Sequence, residues 1–202
     1  MEIKILTLTE LEERLSHYET PEDAFADDLT GRLFDDDVHY ITAEAAQQLA
    51  LIGPPGGEMN LDFLWELSTD VCAALRSYSG DLVINYFSHL SDSAAVMLGE
   101  FKGGLELGGI NELSDDAIES LAKIPGRLSL FGLRRISKRA AIALSQRKAT
   151  TVLNDFAAGS LVSWRLLQDS LGELLVFESD EWDNRLDASK ATLDEFEFAE
   201  NP

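Results

Sequence analysis

An α/β solenoid is the fold this sequence predicts, and three periodic features predict it. Ser68, Ser91, Ser114 and Ser137 stand 23 residues apart, each preceded by an apolar residue (Leu67, Leu90, Leu113, Ile136). Ahead of each serine, apolar residues fall at alternate places, which is the strand period. Behind it they are spaced by three and four, which is the stripe of an amphipathic helix. A fixed period of about 20–50 residues marks an array of stacked units, each too small to bury its own apolar face.

The elements follow in order. Residues 1–57 read as an irregular N-terminal helical cap that includes a first irregular repeat. Thr9-Glu10-Leu11-Glu12 has the form of a capping box, predicting a helix through Leu15. Thr20-Pro21-Glu22-Asp23 predicts a second helix start, with Pro at the first helical position. Thr42, Ala45, Ala46 and Leu49 lie on a further helix stripe, and the loop Gly53-Pro54-Pro55-Gly56-Gly57 follows. The preceding Leu33-Phe34-Asp35-Asp36-Asp37 makes a poor strand, because Asp35 stands where an apolar residue is due.

Five 23-residue repeats are then expected over 58–172. Met59, Leu82, Leu105 and Leu128 open the strands. Leu61, Ile84, Leu107 and Leu130 follow on the same face, and Leu64, Phe87, Ile110 and Leu133 come three residues later. After each serine, sets such as Ala94, Ala95 and Leu98, or Ala117, Ile118 and Leu121, form the helix stripe. Serine is a favoured N-cap because its hydroxyl accepts from the free N–H groups of the first turn. Asp70, Asp92, Asp115 and Asp116 sit in that turn, where the helix dipole favours negative charge. Ser160 keeps the step once more after Gly159. Thr151 and Leu153 start a fifth unit, whose helix carries Ser163, Trp164 and Leu167. Leu174 and Val176 start an acidic C-terminal repeat or cap over 173–202, with Phe196 and Phe198 as a closing strand.

Leu105-Glu106-Leu107-Gly108-Gly109-Ile110-Asn111-Glu112-Leu113-Ser114-Asp115 and Leu128-Ser129-Leu130-Phe131-Gly132-Leu133 resemble leucine-rich repeats. They are closest to bacterial variants that read Leu-x-Leu-x-Gly-Leu-x-x-Leu-Ser-Asp-x-Ala-Ala. The resemblance covers 58–172 and implies a curved parallel sheet on one face with helices on the other. It also implies protein binding, since similar repeat proteins include inhibitors that wrap basic enzymes. The chain departs from the family at one place. Where an Asn ladder usually ties adjacent turns, it holds Leu64, Phe87, Ile110, Leu133 and Phe156.

Composition narrows the function. The 202 residues form one domain by length and carry 37 acidic against 16 basic side chains, a net charge of −21. The charge is uneven: residues 1–37 hold 12 acidic and 3 basic side chains, and residues 173–202 hold 10 and 2. Residues 123–148 contain Lys123, Arg127, Arg134, Arg135, Lys138, Arg139, Arg147 and Lys148, and no acid. Two readings of this basic band are open. Lys138 and Arg139 stand one unit beyond Asp115 and Asp116, so the band neutralises its neighbours; or it docks an acidic partner or a second copy's acidic end. Nucleic acid is disfavoured as a partner, because phosphate contacts need a net basic face. No apolar run has the roughly 20 residues of a membrane span. The single Cys72 falls on the helix stripe and reads as a core thiol. With no signal-peptide pattern at the N-terminus, a cytoplasmic location is expected.

Outward strand positions nominate the binding residues: Asn60, Asp62, Val83, Asn85, Glu106, Gly108, Ser129, Phe131, Val152 and Asn154, with Phe63, Tyr86, Gly109, Gly132 and Asp155 at the next place. Phe63, Tyr86 and Phe131 are aromatic where exposure is expected, and Trp65 lies in the adjoining turn. Exposed aromatic anchors are enriched at interfaces. Between them Glu106 alone projects over Gly103-Gly104 and Gly108-Gly109, leaving a shallow slot. The competing reading gives the glycines to turn geometry and packs the aromatics on one another. His17, His39 and His89 are scattered and read as surface residues. Asp35-Asp36-Asp37 and Glu178-Ser179-Asp180-Glu181 lack the glycine of a calcium loop and read as solvated acid. Neither metal nor cofactor nor catalysis is expected. The sequence thus predicts a non-catalytic protein-binding module, inhibitor- or immunity-protein-like, with a basic partner; the alternative is a self-assembling scaffold.

Overall fold

The structure, a computed structural model, describes residues 4–20, 23–25, 38–154 and 161–177. Six strands, β3 (Glu58–Asn60), β4 (Asp81–Val83), β5 (Leu105–Glu106), β6 (Leu128–Leu130), β7 (Thr151–Asn154) and β8 (Leu174–Phe177), form one parallel sheet in chain order. Each pairs with its neighbour at an offset of one sequence period: Met59 with Leu82, Leu82 with Leu105, Leu105 with Leu128, Leu128 with Thr151, Thr151 with Leu174. Between them run α3 (Thr69–Leu75), α4 (Asp92–Leu98), α5 (Asp115–Leu121), α6 (Lys138–Ser145) and α7 (Leu161–Gln168), consecutive helices packing side by side.

Ser68, Ser91, Ser114 and Ser137 are the N-caps of α3 to α6, and their hydroxyls accept from the N–H groups of Val71, Ala94, Ala117 and Ala140. Two of these hydroxyls also donate backwards, Ser114 to Asp92 (2.5 Å) and Ser137 to Asp115 (2.6 Å). The first-turn aspartates therefore serve two helices at once, as dipole partner of one and acceptor for the cap of the next. Ser160, Phe156, Asp155, Asp35 to Asp37, Glu178 to Glu181, Phe196 and Phe198 lie outside the described residues.

Inward strand residues and helix stripes merge into one apolar core. Leu64, Phe87, Ile110 and Leu133 are buried in it, where leucine-rich repeats carry Asn. Small residues bring the backbones together elsewhere. Gly80, Gly103 and Gly126 recur at the period just ahead of the strands. A side-chain carbon on Gly103 would lie 1.8 Å from the Gly80 carbonyl oxygen, and one on Gly126 2.4 Å from that of Gly103. Only hydrogen fits there.

Tyr78 and Arg147 occupy equivalent places, two residues before β4's glycine and before Ala149. The Tyr78 hydroxyl donates to the carbonyls of Pro54 and Gly57. Arg147 is only 4% exposed. Its guanidinium donates to the carbonyls of Leu121, Ala122, Ile124 and Gly126 and to the Thr151 hydroxyl. Leu121 ends α5, so this cation sits at the negative end of a helix dipole. Burial pulls its pKa down, but a guanidinium stays charged throughout the accessible range.

The N-terminal part departs from expectation. It holds a second sheet: β1 (Lys4–Leu6) pairs in parallel with β2 (Val38–Ile41). β1 has only three residues, and in β2 Val38, His39 and Ile41 are all buried, so neither shows a readable strand period. β2 runs straight into Thr42, the N-cap of α2 (Ala43–Ile52), without the turn that separates strand from helix in later units. The first helix, α1 (Leu8–Leu15), is capped by Thr7 and not Thr9. Thr7 has the extended backbone a cap requires and forms the reciprocal box with Glu10. The backbone bond from Thr7 holds the Glu10 carboxyl below its ordinary pKa. Thr20 opens the next helical turn as predicted, exchanging hydrogen bonds with Asp23.

Two outcomes follow. Leu107→Ala removes a fully buried side chain from the central unit and lowers unfolding free energy by about 2–5 kcal/mol in urea titration. Burial pushes the Cys72 thiol from 9.0 up to about 12. Burial, aided by the charges of Asp81 and Glu58, lifts Tyr78 from 10.0 to about 12. The folded chain keeps both protons at pH values where the unfolded chain releases them. The stability they contribute is therefore complete below about pH 9 and is lost between there and about pH 12. Urea midpoints at about pH 8 and about pH 11 should show the drop, with Cys72→Ala reducing its slope; a midpoint unchanged over that range contradicts the assignment.

Candidate functional site

The strand residues of opposite parity turn away from the core and make the open face of the sheet. Its side chains fall into columns. One runs Asn60, Val83, Glu106, Ser129, Val152; the next runs Asp62, Asn85, Gly108, Phe131, Asn154. In the second column the face ties its own units together. Asp62 accepts from the Asn85 N–H (2.5 Å), and the Asn85 amide oxygen accepts from the Gly108 N–H (2.7 Å). At the other end of the strands Asp81 accepts from the Gly104 N–H, and beyond Phe131 the Asn154 amide donates to the Phe131 carbonyl. These side chains replace backbone acceptors where the short strands stop pairing. At Asp62 and Asn85 this bonding links one unit to the next.

The glycines of the central unit belong to this arrangement. A side-chain carbon on Gly108 would press on the Asn85 amide oxygen at 2.6 Å, and one on Gly109 on the Asn85 carbonyl at 2.0 Å. The bare floor is thus required by backbone approach. It is also open: Asn85, Glu106, Gly108, Arg127, Ser129, Phe131 and Val152 line a shallow depression of about 430 Å³.

Around this floor the nominated residues divide. Tyr86 is 76% exposed and Phe131 47%. Phe63 is half-buried and packs against the core, against expectation. Trp65 is 45% exposed, but its ring meets His39 edge-on at 3.8 Å and its backbone N–H donates to the His39 carbonyl. It joins the two sheets as much as it faces solvent. His39 is buried, not a surface residue, and its Nδ1 has no hydrogen-bond partner. Glu106 does not project freely: it accepts from the Asn85 amide at 3.2 Å. Val83, Ser129 and Val152 stand at outward positions yet are buried.

The basic band also divides. Arg139 spans back to Asp116 and Glu119 at 2.6 Å each, and these contacts raise its pKa. Arg147 is the buried cation described above and is no part of a surface band. Arg127, Arg134, Arg135 and Lys138 form no ion pair among the described residues. Local neutralisation therefore accounts for Arg139 alone of these five.

Cys72 is buried as expected. Among the described residues no cluster of His, Cys, Asp or Glu is arranged to hold a metal ion, and no helix is long and apolar enough to cross a membrane. No protein family, curated protein or solved structure significantly matches the chain.

Asn85 and Tyr86 are adjacent, and the face assigns them opposite roles. Asn85→Ala leaves the Gly108 N–H without its acceptor and lowers stability by about 1–3 kcal/mol. Tyr86→Ala, at an exposed site, changes it by less than about 0.5 kcal/mol. Chemical denaturation of both variants checks this; equal losses would place Tyr86 in the core.

Proposed function

We propose that this chain is a leucine-rich-repeat-like solenoid that binds another protein across its open sheet face and performs no catalysis. The observation that carries this reading is the pair of exposed aromatics, Tyr86 and Phe131, standing on either side of the Gly108–Gly109 floor. Large aromatic side chains left in solvent on a rigid sheet are costly unless a partner covers them, and they are the residue types that dominate interface energetics. The consecutive parallel strands and the constant pairing offset support the solenoid. The net charge of −21 favours a basic partner, whose approach the acidic ends would steer. An inhibitor- or immunity-protein-like role in the cytoplasm fits that combination.

A second reading has its own support. Arg134, Arg135 and Lys138 form no ion pair among the described residues, and the chain holds 37 acids, which suits a scaffold whose copies meet basic band to acidic end.

Capture from a lysate of the native host tests both, followed by mass spectrometry at low and high salt. Wild-type protein should retain a basic protein that Tyr86→Ala and Phe131→Ala each release, with affinity falling as salt rises. Retention unaffected by either substitution would overturn the aromatic-face reading. Concentration-dependent self-association in sedimentation, abolished by Arg134→Glu with Arg135→Glu, would instead establish the scaffold.

A further inference from the structure

One hydroxyl in the open-face depression has no structural use. Ser129 is 3% exposed as a residue; its side chain makes no hydrogen bond among the described residues, and its Oγ is not one of the buried unpartnered atoms, so it meets solvent in the depression. A hydroxyl so placed is satisfied by water, which a ligand group can replace. Ser129 lines the depression together with Arg127, whose guanidinium also makes no hydrogen bond or ion pair among the described residues. Across the same floor lies Glu106, with one carboxylate oxygen held by Asn85 and the other unengaged. Glu106 and Arg127 line one hollow and do not pair with each other. Phe131 and Val152 supply an apolar wall.

We propose that this depression binds a free α-amino acid with an apolar side chain, taken up as its zwitterion. An anion alone would meet Glu106, and a cation alone would meet Arg127. A ligand carrying both charges a few ångströms apart satisfies both at once. Its carboxylate takes donors from Arg127 and the Ser129 hydroxyl, its ammonium donates to Glu106, and its side chain lies on Phe131 and Val152. Charge-assisted hydrogen bonds of this kind are the stronger class. The hollow of about 430 Å³ falls within the usual 300–1,000 Å³ range of small-molecule sites. Because it is open to solvent, binding is expected in the millimolar range. Phe131 belongs to both this hollow and the proposed protein contact, whereas Tyr86 does not line the hollow and belongs to the protein contact alone.

Isotope-labelled full-length chain titrated by NMR with leucine, N-acetylleucine and leucinamide tests the proposal. Leucine should shift the amides around Glu106–Gly108 and Arg127–Phe131 saturably. Blocking either charge should weaken binding about tenfold. Arg127→Ala should abolish the preference for leucine over leucinamide, and Glu106→Gln the preference for leucine over N-acetylleucine. Ser129→Ala should weaken leucine and N-acetylleucine while sparing leucinamide. No saturable shift with leucine, or equal binding of all three compounds, would overturn the site. Tyr86→Ala separates the two readings: it should leave leucine binding intact while releasing a protein partner.

Discussion

Much in this molecule depends on neighbouring backbones meeting without side chains between them ahead of β4, β5 and β6. At Gly80, Gly103 and Gly126 the chain passes so close to the preceding carbonyl that a single added carbon would collide with it. That approach fits the pairing offset of 23 residues that β3 to β8 share, and β7 keeps the offset with Ala149 at the equivalent place. The cap serines then fall opposite the aspartates of the unit before. Strand hydrogen bonds, helix caps and core leucines all inherit their alignment from this spacing. With strands of two to four residues, little else could hold the register.

Much of this was legible in advance because it is periodic. The serine caps, the helix stripes and the inward leucines repeat, and repetition separates signal from coincidence. Three things were hidden for physical reasons. β1 is too short, and β2 too evenly buried, to show alternation. Arg147 reads as one more surface cation, since nothing local reveals that the carbonyls ending the previous helix need a donor. Asp62 and Asn85 look like polar decoration of a binding face, while their structural role lies in the backbone of the neighbouring unit. The glycine column at residues 57, 80, 103, 126 and 172 was visible in the sequence; its meaning required seeing which carbonyl each glycine meets.

The open face therefore has two occupations. Its Asp62–Asn85–Gly108 column joins units, while the side chains of Tyr86, Arg127 and Ser129 take no part in that task. Polar groups on one surface cannot be assigned by type alone. An amide that accepts from the next strand is structure; a hydroxyl that accepts and donates nothing is spare capacity. The same division explains the cations, since Arg139 bridges to acids and Arg147 fills a carbonyl cage, whereas Arg127 does neither.

Tyr78 and Arg147 break the equivalence of the units. At their shared place, Phe101 and Ile124 fill the gap with hydrocarbon alone, but Tyr78 and Arg147 reach specific carbonyls of the unit before. Excising or duplicating a whole period would leave most joints interchangeable. It would not do so at these two, where a displaced neighbour strands a phenol or a guanidinium in the dark. Each of these two residues therefore fixes which segment must precede it, so the order of the units is written into the chain at those joints.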